Sequence, residues 1–220
     1  MLPLAGAAVL LNPTWRARAI RGGLELSDAA SAVLFDPYRM APVFPDRDVT
    51  PLERYPLNSY LTHDPDVDLD DWRLTVTGLV SKPGDYSLDA IRGLPRVRQN
   101  TRHICIEGWD VIGSYGGVRL ADLLTLVGAD AQAQFVEFGC ADDYYESLDI
   151  RTARHPQSLL CDEMYGRPLT REHGAPLRLV LPTKLGYKQA KYLVSLRVTN
   201  VLGPKRGYWV DQGYSWYGGL

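Results

Sequence analysis

Cysteine is scarce in this 220-residue chain: Cys105, Cys140 and Cys161 are its only three, and no two stand in a C-x-x-C spacing. Three thiols cannot all pair, so the sequence argues against a disulfide framework and against an all-cysteine zinc site. It also lacks a block of like charge. Twenty-four Lys and Arg face 26 Asp and Glu, for a formal net charge of −2, which gives a nucleic-acid partner no electrostatic support. No apolar run is long enough to cross a bilayer. The short one, Leu2–Leu11, reads as the apolar part of an export signal without its basic lead, and predicts a longer precursor. Walker A and G-x-G-x-x-G spacings are missing, as is any period of repeat length, so neither a nucleotide nor a solenoid is indicated. What remains is ordinary soluble composition, 45% apolar and 23% charged, in a chain long enough for one sizeable domain with appendages.

Organisation follows from punctuation and period. Asn12 to Ala32 is weakly helical and interrupted by Gly22-Gly23. Asp36 to Pro56 carries five prolines, so it reads as an extended lead-in that wraps a domain surface. Residues 1–57 thus form an apolar segment and lead-in, 58–200 the compact domain, and 201–220 an aromatic tail. The acids of Asp64–Asp71 invite a calcium loop, but the EF-hand positions for Gly and Glu hold Leu69 and Thr75, so a solvated turn is the better reading. Trp72–Thr77 alternates as a strand with Leu74 and Val76 inward, and Ser87 is placed to cap a short helix carrying Leu88 and Ile91. Gly113, Gly116 and Gly117 suggest a turn-rich passage. Leu120, Leu123, Leu124 and Val127 share one helix face, with Gly128 where a C-cap belongs. Strands are expected at 135–138, 146–150, 176–181 and 193–199. Strands outnumber helices without alternating with them, which predicts an α+β, strand-rich domain.

Two stretches carry chemistry. In Thr101–Trp109 (TRHICIEGW) an extended backbone would put His103, Cys105 and Glu107 on one face and Ile104 and Ile106 on the other. Arg102 and His103 would then lower the thiol pKa, suiting Cys105 to bind a metal or attack a carbonyl. The blander reading is a buried cysteine acting as a small hydrophobe. In the second stretch, Arg178, Lys184, Lys188 and Lys191 surround Gly186, whose missing side chain would let a backbone amide approach an anion such as phosphate. Solvated basic loops are the alternative.

Read together, Thr101–Trp109, the helix at 120–127, the strand Tyr144–Asp149 (YYESLD), His173–Arg178 (HGAPLR) and Gly186-Tyr187-Lys188 resemble the sulfite oxidase superfamily of molybdopterin enzymes. The likeness is to the bacterial branch that contains the periplasmic methionine sulfoxide reductase catalytic subunit, and it covers about Asn58 to Thr199 in order. The resemblance implies a strand-rich molybdopterin-binding fold and a molybdenum-molybdopterin cofactor, with Cys105 as the metal's thiolate ligand. Cofactor contacts would come from Asn58, Tyr60, His63, Cys140, His173, Arg178, Gly186, Tyr187 and Lys188, and Glu107 and Asp110 would relay protons or merely pair with Arg102. It further implies oxygen-atom transfer on a small substrate, electrons exchanged with a separate partner such as a membrane cytochrome, and a periplasmic location. Cys105 is followed by Ile-Glu-Gly-Trp-Asp, and Leu61 and Thr62 flank His63 where sulfite oxidases carry arginine, so sulfite is disfavoured. A Cys/His hydrolase built on Cys105, or a non-catalytic binding protein that keeps the fold, are the rival readings.

Overall fold

A computed structural model describes residues 13–36, 38–59, 61 and 63–220. The apolar Leu2–Leu11 and the candidate cofactor residue Tyr60 lie outside those residues. The first element, α1 (Pro13–Leu34), runs through Gly22-Gly23 without a break, where the sequence predicted an interruption. The lead-in then follows the edge of a sheet. Val43 bridges to Thr101, Phe44 N donates to Asn100 O, and Thr50 N donates to Ile112 O.

Two five-stranded sheets follow. The first, in order β2-β1-β10-β5-β6, consists of β1 (Arg73–Gly78), β2 (Gly84–Ser87), β5 (Phe135–Cys140), β6 (Tyr145–Asp149) and β10 (Leu193–Thr199). Its β1–β10 pair is parallel and its other pairs antiparallel. The second joins β3 (Arg96–Ile104), β4 (Asp110–Arg119) and β7 (Leu159–Met164), with β8 (Arg167–Pro168) and β9 (Arg178–Val180) both on β7. Short helices connect them: α2 (Leu88–Arg92), α3 (Leu120–Leu126), α4 (Ile150–Ala153) and α5 (Tyr208–Asp211).

Local signals explain much of this. Leu74 and Val76 are fully buried while their β1 neighbours are exposed, as period-2 alternation requires. Ser87 caps α2 by accepting from Ala90 N at 3.1 Å. Leu120, Leu123, Leu124 and Val127 are all 0% exposed. Gly128 closes that helix at φ +64°, with the space beside it taken by Ser81.

The largest departure is β4. Its glycines predicted turns, yet it is a ten-residue central strand. A Cβ on Gly117 would stand 2.1 Å from Leu160 O, at the register shift between β4 and β7. Glycine in a strand here marks a close backbone approach at a bulge.

One core gathers β1, β5, β10, α3 and Leu179 of β9; a smaller one gathers Tyr55, Val111, Tyr115, Leu159, Cys161 and Val180. Strand β9 alternates between them, so Arg178 shares its face with Val180, on the side away from Leu179.

Candidate functional site

Cys105 stands at the tip of the β3–β4 hairpin. The two strands pair as far as Ile104↔Asp110, leaving Cys105–Trp109 as the loop. Cys105 N donates to Trp109 O at 2.9 Å, Gly108 N donates to Cys105 O at 3.2 Å, and Gly108 sits at φ +93°, a left-handed conformation that glycine adopts without strain. The backbone here is therefore a tight turn and not the extended segment the alternation predicted. Ile106 is consequently 46% exposed, while Cys105 is only 9% exposed.

The expected tuning of the thiol by its neighbours is overturned. Arg102 points away, 3.4 Å from Asp110 and over the ring of Phe44. His103 is buried, and burial together with the nearby Arg178 guanidinium pushes its pKa down to about 4, so it is neutral at pH 7. Burial raises the Cys105 pKa, and the Glu107 carboxylate adds to that through its charge. Glu107 Oε2 lies 3.7 Å from the sulfur and accepts from Asn58 Nδ2 at 3.1 Å and Trp109 Nε1 at 3.0 Å. Asn58 Nδ2 is itself 3.7 Å from the sulfur. The thiol, a carboxylate and an amide thus meet at one point.

That point opens into a cavity of about 330 Å³. The β9 residue Arg178 lines it, held by His173 O at 3.0 Å from Nη1. Arg178 is 5% exposed, and no carboxylate pairs with it among the described residues. Lys191 lines the same space and donates to Asn58 O and Glu172 O, both at 2.9 Å, tying the Asn58 loop to the turn that follows β8. On another side the 3-10 turn Gly186–Lys188 closes against β3. A Cβ on Gly186 would stand 2.7 Å from His103 Nε2, so its missing side chain serves the packing of two protein segments as well as any ligand. Tyr144 OH donates to Tyr187 O at 2.6 Å, joining that turn to the β5–β6 connection.

Of the residues singled out from sequence, Asn58, Cys105, Glu107, Arg178, Gly186 and Tyr187 come together around this cavity. Four others are placed elsewhere. His63 is exposed and away from the cavity. Cys140 packs in the larger core, where burial pushes its thiol pKa far up. His173 is buried edge-on to Tyr55 and does not line the cavity, and its carbonyl holds Arg178. Lys188 is fully buried in an ion pair with Glu146, donating also to Ser147 O at 2.9 Å.

Asp142, Gln189, Tyr208 and Trp209 also line the cavity, and sequence reasoning missed them. Asp142 and Gln189 stand beside Cys140 and Lys188, whose chemistry the sequence does display. No local pattern signals Tyr208 or Trp209, which arrive from the C-terminal tail. Among the described residues no three His, Cys, Asp or Glu side chains gather as a metal site.

Comparison with known proteins supplies the context. Residues 61–209 match the model of the oxidoreductase molybdopterin binding domain. A relative from Azospira oryzae, whose name gives it provisionally as protein-methionine-sulfoxide reductase subunit YedZ1, is 48% identical over 84% of this chain and 70% of its own length. The protein-methionine-sulfoxide reductase catalytic subunit MsrP of Xanthomonas campestris is 34% identical over 68% of this chain. The chain spans about half the length of that relative, 51%. Among solved structures, the sulfane dehydrogenase SoxCD of Paracoccus pantotrophus shares the fold at TM-score 0.59 and 22% identity, over 63% of this chain and 40% of that one.

Proposed function

This chain belongs to the oxidoreductase molybdopterin-binding domain family, and on that premise we propose that it is the catalytic portion of a molybdenum oxidoreductase that takes an oxygen atom from a sulfoxide. The residues present suit the cofactor. A buried guanidinium without a carboxylate is costly unless an anion joins it, and Arg178 lines a cavity large enough to admit one. A single thiol lining the same cavity offers a soft ligand to a metal whose other sulfur ligands the pterin brings. The presence of Cys105 and Arg178 in the lining of one cavity carries the reading.

When bound, the cofactor supplies an oxygen acceptor that cycles by two electrons. The chain's own part is to hold and to shape. Cys105 would anchor the metal, with the Asn58 amide, itself bonded to Glu107, placed to donate to its sulfur. Arg178 would hold the phosphate end, and Gly186 and Tyr187 would form the wall between. Glu107, exposed beside the thiol and held by two hydrogen bonds, is placed to pass protons between solvent and the reacting centre. Sulfoxide reduction needs them: a sulfoxide, two protons and two electrons give the thioether and water.

The names of relatives as protein-methionine-sulfoxide reductase catalytic subunits favour sulfoxide over sulfite and a further subunit that supplies electrons; that this donor is a membrane cytochrome and that the reaction runs in the periplasm are part of the proposal. No helix among the described residues is long and apolar enough to cross a membrane. The test is metal analysis of protein made in a host that synthesises molybdopterin. Wild type should carry molybdenum near one per chain and reduce methionine sulfoxide with reduced methyl viologen. Cys105→Ala should lose the molybdenum and, with it, activity by at least about 10³-fold, as when a residue the chemistry depends on is removed. A metal-free wild type that hydrolyses esters would overturn the proposal in favour of a Cys/His hydrolase.

A further inference from the structure

Helix α1 is tied to the domain along one side. Asp28 accepts from Trp216 N at 3.0 Å, from Tyr217 N at 3.1 Å and from the Ser215 hydroxyl. Leu24, Asp28 and Ser31, spaced i, i+4 and i+7, are half-buried on that side. The opposite face is apolar and meets solvent. Trp15, Ala19, Leu26, Ala29, Ala30 and Val33 recur close to whole turns of the helix and all are exposed, with Trp15, Leu26 and Val33 at 55–82%. The amphipathic order is thus inverted: a carboxylate and a hydroxyl turn inward and the apolar stripe outward. From Thr14 to Arg21 all the described side chains are exposed. Two turns so exposed, followed by Gly22-Gly23, are marginal as helix in water, and a surface that covers the stripe would support them.

Charge identifies that surface. Arg16 and Arg18 flank the stripe on either side, Arg21 lies one turn beyond Arg18, and no acid precedes Glu25 in the helix. The Arg18 guanidinium lies 5.8 Å over the Trp15 ring. A second copy of the chain fits poorly. Parallel pairing would bring the arginines together, and an antiparallel pair that set Trp15 against Val33 would place the two Glu25 side chains at its centre. The alanines of the stripe are also too small to serve as interlocking knobs. A bilayer needs no knobs. We propose that α1 is a membrane-surface helix, its Trp15–Val33 stripe lying in the interface of an anionic bilayer with Arg16, Arg18 and Arg21 on the lipid phosphates. Helices with an apolar stripe and flanking arginines bind in that plane, and indole rings favour the same zone. The helix lies on the bilayer without crossing it. This inference does not depend on the reaction stated above.

The test is flotation of the full chain with vesicles of phosphatidylcholine alone, or of equal parts phosphatidylcholine and phosphatidylglycerol. Wild type should float with the anionic vesicles, less so as salt rises, and not with the neutral ones. The triple variant Arg16→Gln, Arg18→Gln, Arg21→Gln should partition about 10²-fold more weakly, on the scale of one headgroup contact per arginine. Leu26→Gln with Val33→Gln should weaken it by at least about tenfold through lost apolar burial. All five side chains are exposed, so neither variant disturbs the domain's packing. Failure of wild type to float would overturn the proposal, as would indifference to lipid charge and salt. Binding that survives both variants would also overturn it and assign the contact to the apolar run Leu2–Leu11. A lipid-free dimer that the Leu26 and Val33 substitutions dissociate would overturn it in favour of a second copy.

Discussion

The basic stretch 178–191 holds four cations that the sequence presents alike and the fold divides into two pairs. Arg178 and Lys191 line the cavity, where Arg178 meets no carboxylate and Lys191 is held mainly by backbone carbonyls. Lys184 and Lys188 turn the other way. Lys188 is buried against Glu146, and Lys184 is buried over the ring of Tyr217 with no hydrogen bond to its ammonium among the described residues. The division follows from the backbone. Arg178 lies on a strand face, while Lys188 ends the 3-10 turn that Gly186 presses against His103. In the first pair Arg178 faces the cavity without a carboxylate among the described residues, while Lys191 ties two loops and Asp64 together at its wall; the second pair belongs to the scaffold that carries the tail.

Stability should distinguish the pairs most sharply. Lys188→Met strands the Glu146 carboxyl, whose pKa burial already raises to about 7, without its partner. Breaking a buried pair from one side costs about 3–5 kcal/mol. The cofactor-free protein should therefore melt roughly 6–20 °C lower by calorimetry, at about 2–4 °C per kcal/mol for this size. Arg178→Met removes a charge that has no protein partner to abandon, only hydrogen bonds to two carbonyls, so it should cost no more than about 2 kcal/mol. Its loss should instead appear as failure to retain the pterin. Equal melting losses in the two variants would erase the distinction between seat and scaffold.

Acid should find the cavity side next. Burial, with Arg178 and then Lys191, pushes the His173 pKa down to about 4. A folded pKa below the unfolded value of about 6.5 means the unfolded chain binds the extra proton first. Stability from keeping His173 neutral is therefore complete above about pH 6.5 and is lost as pH falls toward 4. That loss amounts to at most about 3 kcal/mol. Subtracting the urea-unfolding curves of His173→Asn from those of wild type between pH 7 and 4 should reveal it, because the other titrating groups are common to both. A difference that does not change with pH would show that His173 keeps its ordinary pKa, with neither its burial nor the two cavity cations lowering it.

Much of the architecture could be read from local pattern because local pattern caused it. The alternation of β1, the cap at Ser87 and the stripe of α3 each bury what their spacing says they should. Strand β4 was hidden because Gly116 and Gly117 answer to β7, about forty residues further along the chain, while Gly113 leaves room for the Tyr115 ring of its own strand. The site divided in the same manner. Cys105, Glu107 and Arg178 were visible as chemistry, but the orientation of the thiol was not, since a turn at Gly108 replaced the expected strand. Tyr208 and Trp209 were invisible as wall residues because anchors on α1, β6 and the 184–185 segment, all distant in sequence, fix where the tail lies.

The smallest effect concerns Lys184, and it has the opposite sign from Lys188. Burial lowers its pKa to about 7, with the like charge of Lys188 contributing, whereas an unfolded lysine titrates near 10.4. Between these values the unfolded chain holds the additional proton, so this residue makes the protein more stable as pH rises from about 7 to 10, and at pH 7 it is a burden. Its aliphatic stem and the ring of Tyr217 can be satisfied by an uncharged side chain of similar length. Lys184→Met should therefore stabilise the protein by about 1–2 kcal/mol at pH 7, in keeping with apolar replacement of other buried charges, and by less at pH 9.5. A destabilised variant would mean that the ammonium holds the tail through its contact with Tyr217, which would make the scaffold pair as purposeful in its charge as the pair that faces the cavity.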